Sequence, residues 1–173
     1  LVAVAALVPA GAPASAAPAG SGIDRPAKLA GKRYASYDGR FEDPIVSQMV
    51  SNDGGDGSAV QFHSLDSHAY ADADTMGAGS VVASYLEKGR SDATWIFQAW
   101  EGVLAARAGQ RLNLFELSDF DIPYGYSPVL LADPSMATGE RCEETRAFLA
   151  ATAAGYAKAA SDPKAAAAAL CAC

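Results

Sequence analysis

The chain has 173 residues, half of them apolar, and a formal net charge of −7. This length suits one ordinary domain with a real core, and the acidic balance argues against a nucleic-acid binder, which normally carries a basic patch. No apolar run approaches the roughly 18 to 20 residues that a membrane-spanning helix needs. Three cysteines, two of them within the last three residues, make no disulfide framework.

The first 22 residues have two interpretations. An apolar stretch from Leu1 to Pro9 runs into a segment rich in Pro, Ala, Gly and Ser that ends at Gly22. It is either a secretory signal with a small-residue cleavage site at Ala14-Ser15-Ala16, or a buried strand over residues 2–8 followed by a loop. The basic region that begins a signal is missing here, and composition alone does not choose between the two.

From Ile23 to Leu117 predicted strands alternate with predicted helices. The strands cover residues 32–37, 60–65, 93–97 and 112–117, and the helices cover residues 42–52, 76–87 and 100–107. The run Ala93–Phe97 is apolar on both faces, as a central parallel strand should be. This order predicts an α/β fold, namely a three-layer lobe with a mostly parallel sheet.

The C-terminal third predicts one more strand and two helices. The strand covers residues 129–132, a long helix runs from about residue 135 to residue 160, and an alanine-rich helix covers residues 164–170. Asp162-Pro163 separates the two helices, because proline lacks the amide that a helix interior needs.

Several short strings, in their order and spacing, resemble one family. They are Ser21-Gly22-Ile23, Leu29-Ala30-Gly31-Lys32-Arg33-Tyr34, Tyr37-Asp38-Gly39-Arg40-Phe41-Glu42, Asn52-Asp53-Gly54-Gly55, Asp92-Ala93-Thr94-Trp95-Ile96-Phe97, Trp100-Glu101-Gly102 and Ile122-Pro123-Tyr124-Gly125-Tyr126-Ser127-Pro128-Val129. The chain resembles the thiamine-pyrimidine family of SsuA/Thi-like proteins with the type 2 periplasmic-binding-protein fold. That family includes binding proteins of ABC importers and a fungal enzyme that makes the pyrimidine phosphate.

The resemblance implies two α/β lobes, the second inserted into the first, with the ligand between them. On this map residues 1–22 are a leader or a remnant of the first lobe, residues 23–121 are the second lobe, and residues 122–173 are the hinge and the C-terminal part of the first lobe. Most of the first lobe would precede Leu1, so the chain is expected to be a fragment.

The strand-to-helix turn around Asp38 is the first candidate site. Amides at a helix N-terminus can hold an anion, Gly39 allows close approach, and Arg40 adds charge. The resemblance implies that this loop, with Tyr37, Gly39, Arg40 and Phe41, contacts the ligand. The alternative is a simple turn with Arg40 in solvent.

The second candidate site follows the central strand, where ligands of open parallel sheets bind. An aminopyrimidine needs a flat apolar partner and a hydrogen-bond acceptor, which Trp100 and Glu101 supply. By resemblance Glu101 is the foremost ligand contact. The alternative makes Glu101 an acid favoured by the helix dipole, and for Trp95 a core position is the better interpretation.

The resemblance adds Tyr124 and Tyr126, on the hinge, as ligand contacts; the alternative is a rigid turn with partly buried rings. In the fungal enzyme a cysteine-rich metal motif occupies this place, and no cysteine lies between Ile122 and Pro134 here. Whether the protein is an enzyme is left open. The absence of the cysteine motif favours a binding protein, and no residue is assigned a catalytic role.

No cofactor or metal is expected. His63 and His68 are five residues apart with acidic neighbours, but neither helical pairing nor a cysteine set supports a metal site. The loop from Asp53 lacks the glutamate of a calcium-binding EF-hand, because Ser64 stands at that position.

The sequence thus predicts a substrate-binding protein for a hydroxymethyl- or aminomethyl-pyrimidine, in thiamine biosynthesis or ABC import. The alternatives are a pyrimidine phosphate synthase and a binding protein for another small molecule such as a sulfonate. The expected partners are the ligand and an ABC transporter permease, with no nucleic acid and no transmembrane segment. The location is periplasmic or secreted if a signal peptide is present, and otherwise cytoplasmic.

Overall fold

A computed structural model describes residues 1–7, 13–39, 41–65, 85–86, 88–123 and 128–172. The chain divides into two compact units, one formed by Leu1–Pro9 with Tyr126–Cys173 and the other by Ala10–Gly125. In the described part of the chain, none of the helices has the length and apolar character needed to cross a bilayer.

The larger unit is built on a five-stranded sheet with the order β4-β3-β5-β2-β6. Its strands are β2 (Pro13–Pro18), β3 (Arg33–Ser36), β4 (Gln61–Ser64), β5 (Ala93–Phe97) and β6 (Leu112–Glu116). β3 is parallel to β4 and to β5, whereas β2 is antiparallel to β5 and β6. Four strands therefore run in one direction, which confirms the predicted α/β class with a mostly parallel sheet and with β5 at its centre.

Strand β2 corrects both sequence interpretations of this segment, which are the cleavage region of a signal and a loop that follows a strand. Ala14, Ala16 and Ala17 are fully buried, and the Ser15 hydroxyl donates a hydrogen bond of 3.0 Å to the Tyr34 hydroxyl. Alanine and proline have low intrinsic strand propensity, so the local sequence gives no strand signal. The backbones of β5 and β6 on either side supply the hydrogen-bond partners that make this segment a strand.

Apolar side chains cover both faces of the sheet. On one face, helix α1 (Glu42–Asn52) packs Val46, Met49 and Val50 against Tyr34 and Trp95. On the other face, one cluster buries Ala14, Ala16 and Ile96 with Leu86, and another buries Ala35 with Tyr85. Helix α1 has the bounds that the sequence predicts. Of the helix predicted over residues 76–87, only Tyr85 and Leu86 lie within the described residues, and both are helical.

The segment after β5 differs from the single helix predicted over residues 100–107. It is a π-helical turn, Gln98–Gly102, followed by a short α-helix, α2 (Val103–Arg107). π-Helical turns are rare in proteins, but those that do occur are frequently found at functional sites. Short 3₁₀ turns cover Pro26–Leu29, Gly57–Ala59 and Leu117–Phe120.

The smaller unit pairs β1 (Val2–Ala6) antiparallel with β7 (Val129–Ala132). Its helices are α3 (Pro134–Thr138), α4 (Cys142–Ser161) and α5 (Pro163–Cys171). The prediction of one long helix from residue 135 is wrong, because the helix is interrupted at Gly139. A Cβ atom there would lie 2.3 Å from the Ser135 carbonyl oxygen, so only glycine fits this break.

Candidate functional site

The candidate site lies at the carboxyl edge of the parallel strands in the larger unit. Because β3, β4 and β5 run in the same direction, their carboxyl ends meet at one edge of the sheet. Tyr37 follows β3, Ser64 ends β4, and Glu101 lies in the turn after β5. In open α/β sheets this is the edge at which ligands bind.

Glu101 is a buried carboxylate that joins two of these elements. Its side chain is 2% exposed, its Oε2 accepts a 2.9 Å hydrogen bond from the Phe97 amide, and its Oε1 accepts a 3.3 Å hydrogen bond from the Tyr37 hydroxyl. Burial raises the pKa of Glu101, while the Phe97 amide, its own amide and the Tyr37 hydroxyl partly oppose that rise. Each carboxylate oxygen has a second lone-pair site, so Glu101 keeps acceptor capacity beyond these two bonds.

The turn between β3 and α1 has an unusual backbone. Asp38 and Gly39 both adopt the left-handed region, with φ of 65° and 64°. The Ser64 hydroxyl donates a 2.8 Å hydrogen bond to Asp38 Oδ1, and the Gly39 amide donates a 3.3 Å hydrogen bond to Ser36 Oγ. A left-handed non-glycine residue costs roughly 1–2 kcal/mol, so these bonds hold the turn in a conformation that it would not adopt alone.

Glu42 is a second buried carboxylate beside this turn. It is fully buried, and it accepts hydrogen bonds from the Tyr37 amide and, at 3.3 Å, from the Phe41 amide. The protein's own carboxylate therefore occupies two of the amides near the N-terminus of α1. Glu42 is not among the predicted site residues, because an acid in a first helical turn is usually explained by the helix dipole alone.

The structure brings some of the predicted site residues together and leaves others apart. Tyr37 contacts Glu101 directly. The Phe41 residue is 39% exposed, and its ring makes a T-shaped contact with the fully buried Trp95 ring at a centroid distance of 5.8 Å. Trp95 is thus a core residue, as predicted, whereas Trp100 is 53% exposed. Three predicted contacts lie outside the described residues: Arg40, Tyr124 and Tyr126.

The histidine considered for a metal site has another partner. His63 Nε2 lies 2.7 Å from the hydroxyl of Ser91, which is 2% exposed. His68 is outside the described residues. Among the side chains that the structure describes, no group of three or more His, Cys, Asp or Glu residues is placed to hold a metal ion.

Comparison with known sequences identifies the family. Residues 1–166 match the family described as NMT1/THI5 like. The chain belongs to the NMT1/THI5-like family. A comparison with curated protein sequences gives no match.

Solved structures provide a second comparison for this NMT1/THI5-like chain. The periplasmic aliphatic sulphonate binding protein SsuA from Escherichia coli matches with a TM-score of 0.58 and 18% identity, over 88% of this chain and 47% of that chain. The alkanesulfonate-binding protein SsuA from Xanthomonas axonopodis pv. citri, bound to MOPS, matches with a TM-score of 0.48 and 21% identity, over 73% of this chain and 38% of that chain. An ancestral arginine-binding protein bound to glutamine matches with a TM-score of 0.45 and 17% identity, over 83% of this chain and 56% of that chain.

The first of these likenesses confirms the predicted periplasmic-binding-protein fold. At 18% identity it establishes the fold and not the ligand. The chain spans about half the length of that sulphonate-binding protein, 47% of it.

Proposed function

We propose that this chain is part of a substrate-binding protein for a thiamine pyrimidine precursor, a hydroxymethyl- or aminomethyl-pyrimidine. The observation that carries the proposal is the buried Glu101 carboxylate, bonded to Tyr37 at the carboxyl edge of the sheet. Membership of the NMT1/THI5-like family supports it. The protein would act outside the cytoplasm and deliver its ligand to an ABC transporter.

The chemistry of the edge suits an aminopyrimidine. The amino group and a protonated ring nitrogen are donors, and a carboxylate in a place sheltered from water is a strong acceptor for them. The Tyr37 ring and the exposed faces of Phe41 and Trp100 offer flat apolar surface on which a pyrimidine could stack. In this proposal Glu101 accepts from the amino group of the ligand.

The same edge is less suited to a sulfonate, the alternative ligand. Glu42 and Glu101 are both buried there, and Asp38 lies on the adjoining turn. An anion would meet these like charges in surroundings where water screens them poorly. The amides of Tyr37 and Phe41, which would otherwise attract an anion, already donate to Glu42.

Isothermal titration calorimetry with aminomethylpyrimidine and with an alkanesulfonate tests the proposal. We expect the pyrimidine to bind and Glu101→Gln to weaken its affinity roughly 10- to 100-fold, since a hydrogen bond to a charged group contributes about 1.5–3 kcal/mol. Glu140→Gln, which makes the same chemical change at an exposed position, is the matched control. Tighter binding of the sulfonate, or an unchanged affinity in Glu101→Gln, would refute the proposal.

A further inference from the structure

Glu42 does not act as an ordinary helix cap. An acid in the first turn usually accepts a hydrogen bond from an amide of its own helix. Glu42 is the first residue of α1, but its two oxygens accept from Tyr37 and Phe41, which both precede the helix. These two residues flank the left-handed Asp38 and Gly39. The Glu42 carboxylate therefore ties the beginning of the turn to its end.

Tyr37 connects this carboxylate to the other buried one. Its amide donates to Glu42, its hydroxyl donates to Glu101 at 3.3 Å, and its ring packs against the core of the larger unit. Fixing the Tyr37 amide fixes where its Cα and Cβ atoms lie, and hence where the hydroxyl at the far end of the ring can reach. The position of Glu42 is thus transmitted to Glu101 through one rigid side chain.

Stability alone does not explain a carboxylate at position 42. Glu42 is fully buried, and within the described residues no ion pair includes it. Burying a carboxylate without a cation is costly, and an apolar side chain of similar volume is often neutral or stabilising in such a place. What an apolar side chain cannot do is accept the two amides and hold the turn.

We propose that Glu42 is a positioning residue of the candidate site, which holds the β3–α1 turn closed and sets the Tyr37 hydroxyl against Glu101. The inference rests on the proposed function only for its consequence in ligand binding. The geometry that it asserts can be measured without a ligand, so the two proposals can fail separately.

The first measurement is amide hydrogen exchange, followed by NMR, in the wild type, in Glu42→Gln and in Glu42→Met. We expect both the Tyr37 and Phe41 amides to exchange faster by on the order of tenfold in Glu42→Met, which has no acceptor, and at least one of them to do so in Glu42→Gln, which keeps one acceptor oxygen for two amides. The amide of Met49, in the middle of α1, should change much less. Val50→Ala, a fully buried substitution in the same helix, controls for general loss of stability.

The second measurement is the titration of Glu101, followed through its side-chain carboxyl resonance. The Tyr37 hydrogen bond lowers the pKa of Glu101, so its loss would raise that pKa. We expect a rise in Glu42→Gln, a rise in Tyr37→Phe, and no further rise when the two are combined. A purely structural role of Glu42 would not produce this pattern.

Either of two ligand-free results would overturn the inference: unchanged exchange of the Tyr37 and Phe41 amides in Glu42→Gln, or a lowered or unchanged pKa of Glu101. If aminomethylpyrimidine binds the wild type, equal affinity in Glu42→Gln would also overturn it, and weaker affinity would support it. If the wild type binds no pyrimidine, the proposed function fails, and the exchange and titration results decide the role of Glu42.

Discussion

Replacing Glu101 by alanine should destabilise the larger unit far more than replacing its neighbour Trp100. The substitution removes the carboxylate that accepts from the Phe97 amide at 2.9 Å and from the Tyr37 hydroxyl at 3.3 Å. An unsatisfied buried donor costs about 1–3 kcal/mol, and the Tyr37 hydroxyl is only partly buried, so we expect a loss of about 2–4 kcal/mol. Trp100 is 53% exposed, and its replacement by alanine should change stability by roughly 0.5 kcal/mol or less.

Urea unfolding followed by circular dichroism at pH 7 measures both variants against the wild type. The pH dependence provides a second check with Glu101→Gln, which keeps the shape but does not titrate. Burial raises the pKa of Glu101 in the folded protein above its ordinary value of 4.5. Between 4.5 and the folded pKa the folded wild type therefore binds more protons than the unfolded chain, and its free energy of unfolding falls as the pH rises through this interval. Glu101→Gln does not titrate, so its stability should rise relative to that of the wild type over the same interval. Equal losses for Glu101→Ala and Trp100→Ala would refute this account of the carboxylate.

Three further substitutions test other parts of the structure. Ala16→Leu overpacks a fully buried position of β2 and should cost about 1–3 kcal/mol in urea unfolding; no cost would mean that this segment is not an interior strand. Tyr34→Phe leaves the buried Ser15 hydroxyl without its acceptor and should cost about 1–3 kcal/mol, whereas a neutral result would contradict the 3.0 Å bond. Asp53→Asn breaks the bidentate pair with Arg25 and should lower stability only slightly, because solvent screens the exposed guanidinium. The Arg25 hydrogen bond lowers the pKa of Asp53 below its ordinary 3.8, so that deficit should shrink as the pH falls through the folded value, and a deficit independent of pH would contradict the assignment.

Periodic segments could be predicted from the sequence because their signal is local. The spacing of Phe41, Ile45 and Met49 predicts α1, and the mostly apolar run Ala93–Phe97 predicts the central strand β5. For both α1 and β5 the element that the local sequence pattern predicts is the one that the fold forms. Strand β2 shows the opposite case, because its alanines and prolines carry no strand pattern and its neighbours impose the structure.

The candidate site could be predicted only in part, for a similar reason. Proximity to strand ends and resemblance to a family point to Tyr37 and Glu101, and the structure joins them by a hydrogen bond. The proposed role of Glu42 depends on hydrogen bonds that its carboxylate accepts from two amides earlier in the chain, at a turn whose backbone is left-handed. No spacing rule in the sequence encodes that geometry. The interruption at Gly139 has a weaker local signal, since glycine disfavours helix but does not always end one.

The most direct test of the central claim is an NMR titration of the isotope-labelled protein with aminomethylpyrimidine, recording which amide resonances move. We expect saturable shifts concentrated at Tyr37, Phe97 and Glu101, at the carboxyl edge of the sheet. A parallel titration with an alkanesulfonate should leave these resonances in place. Shifts confined to other regions, or a response of this edge to the sulfonate and not to the pyrimidine, would contradict the account.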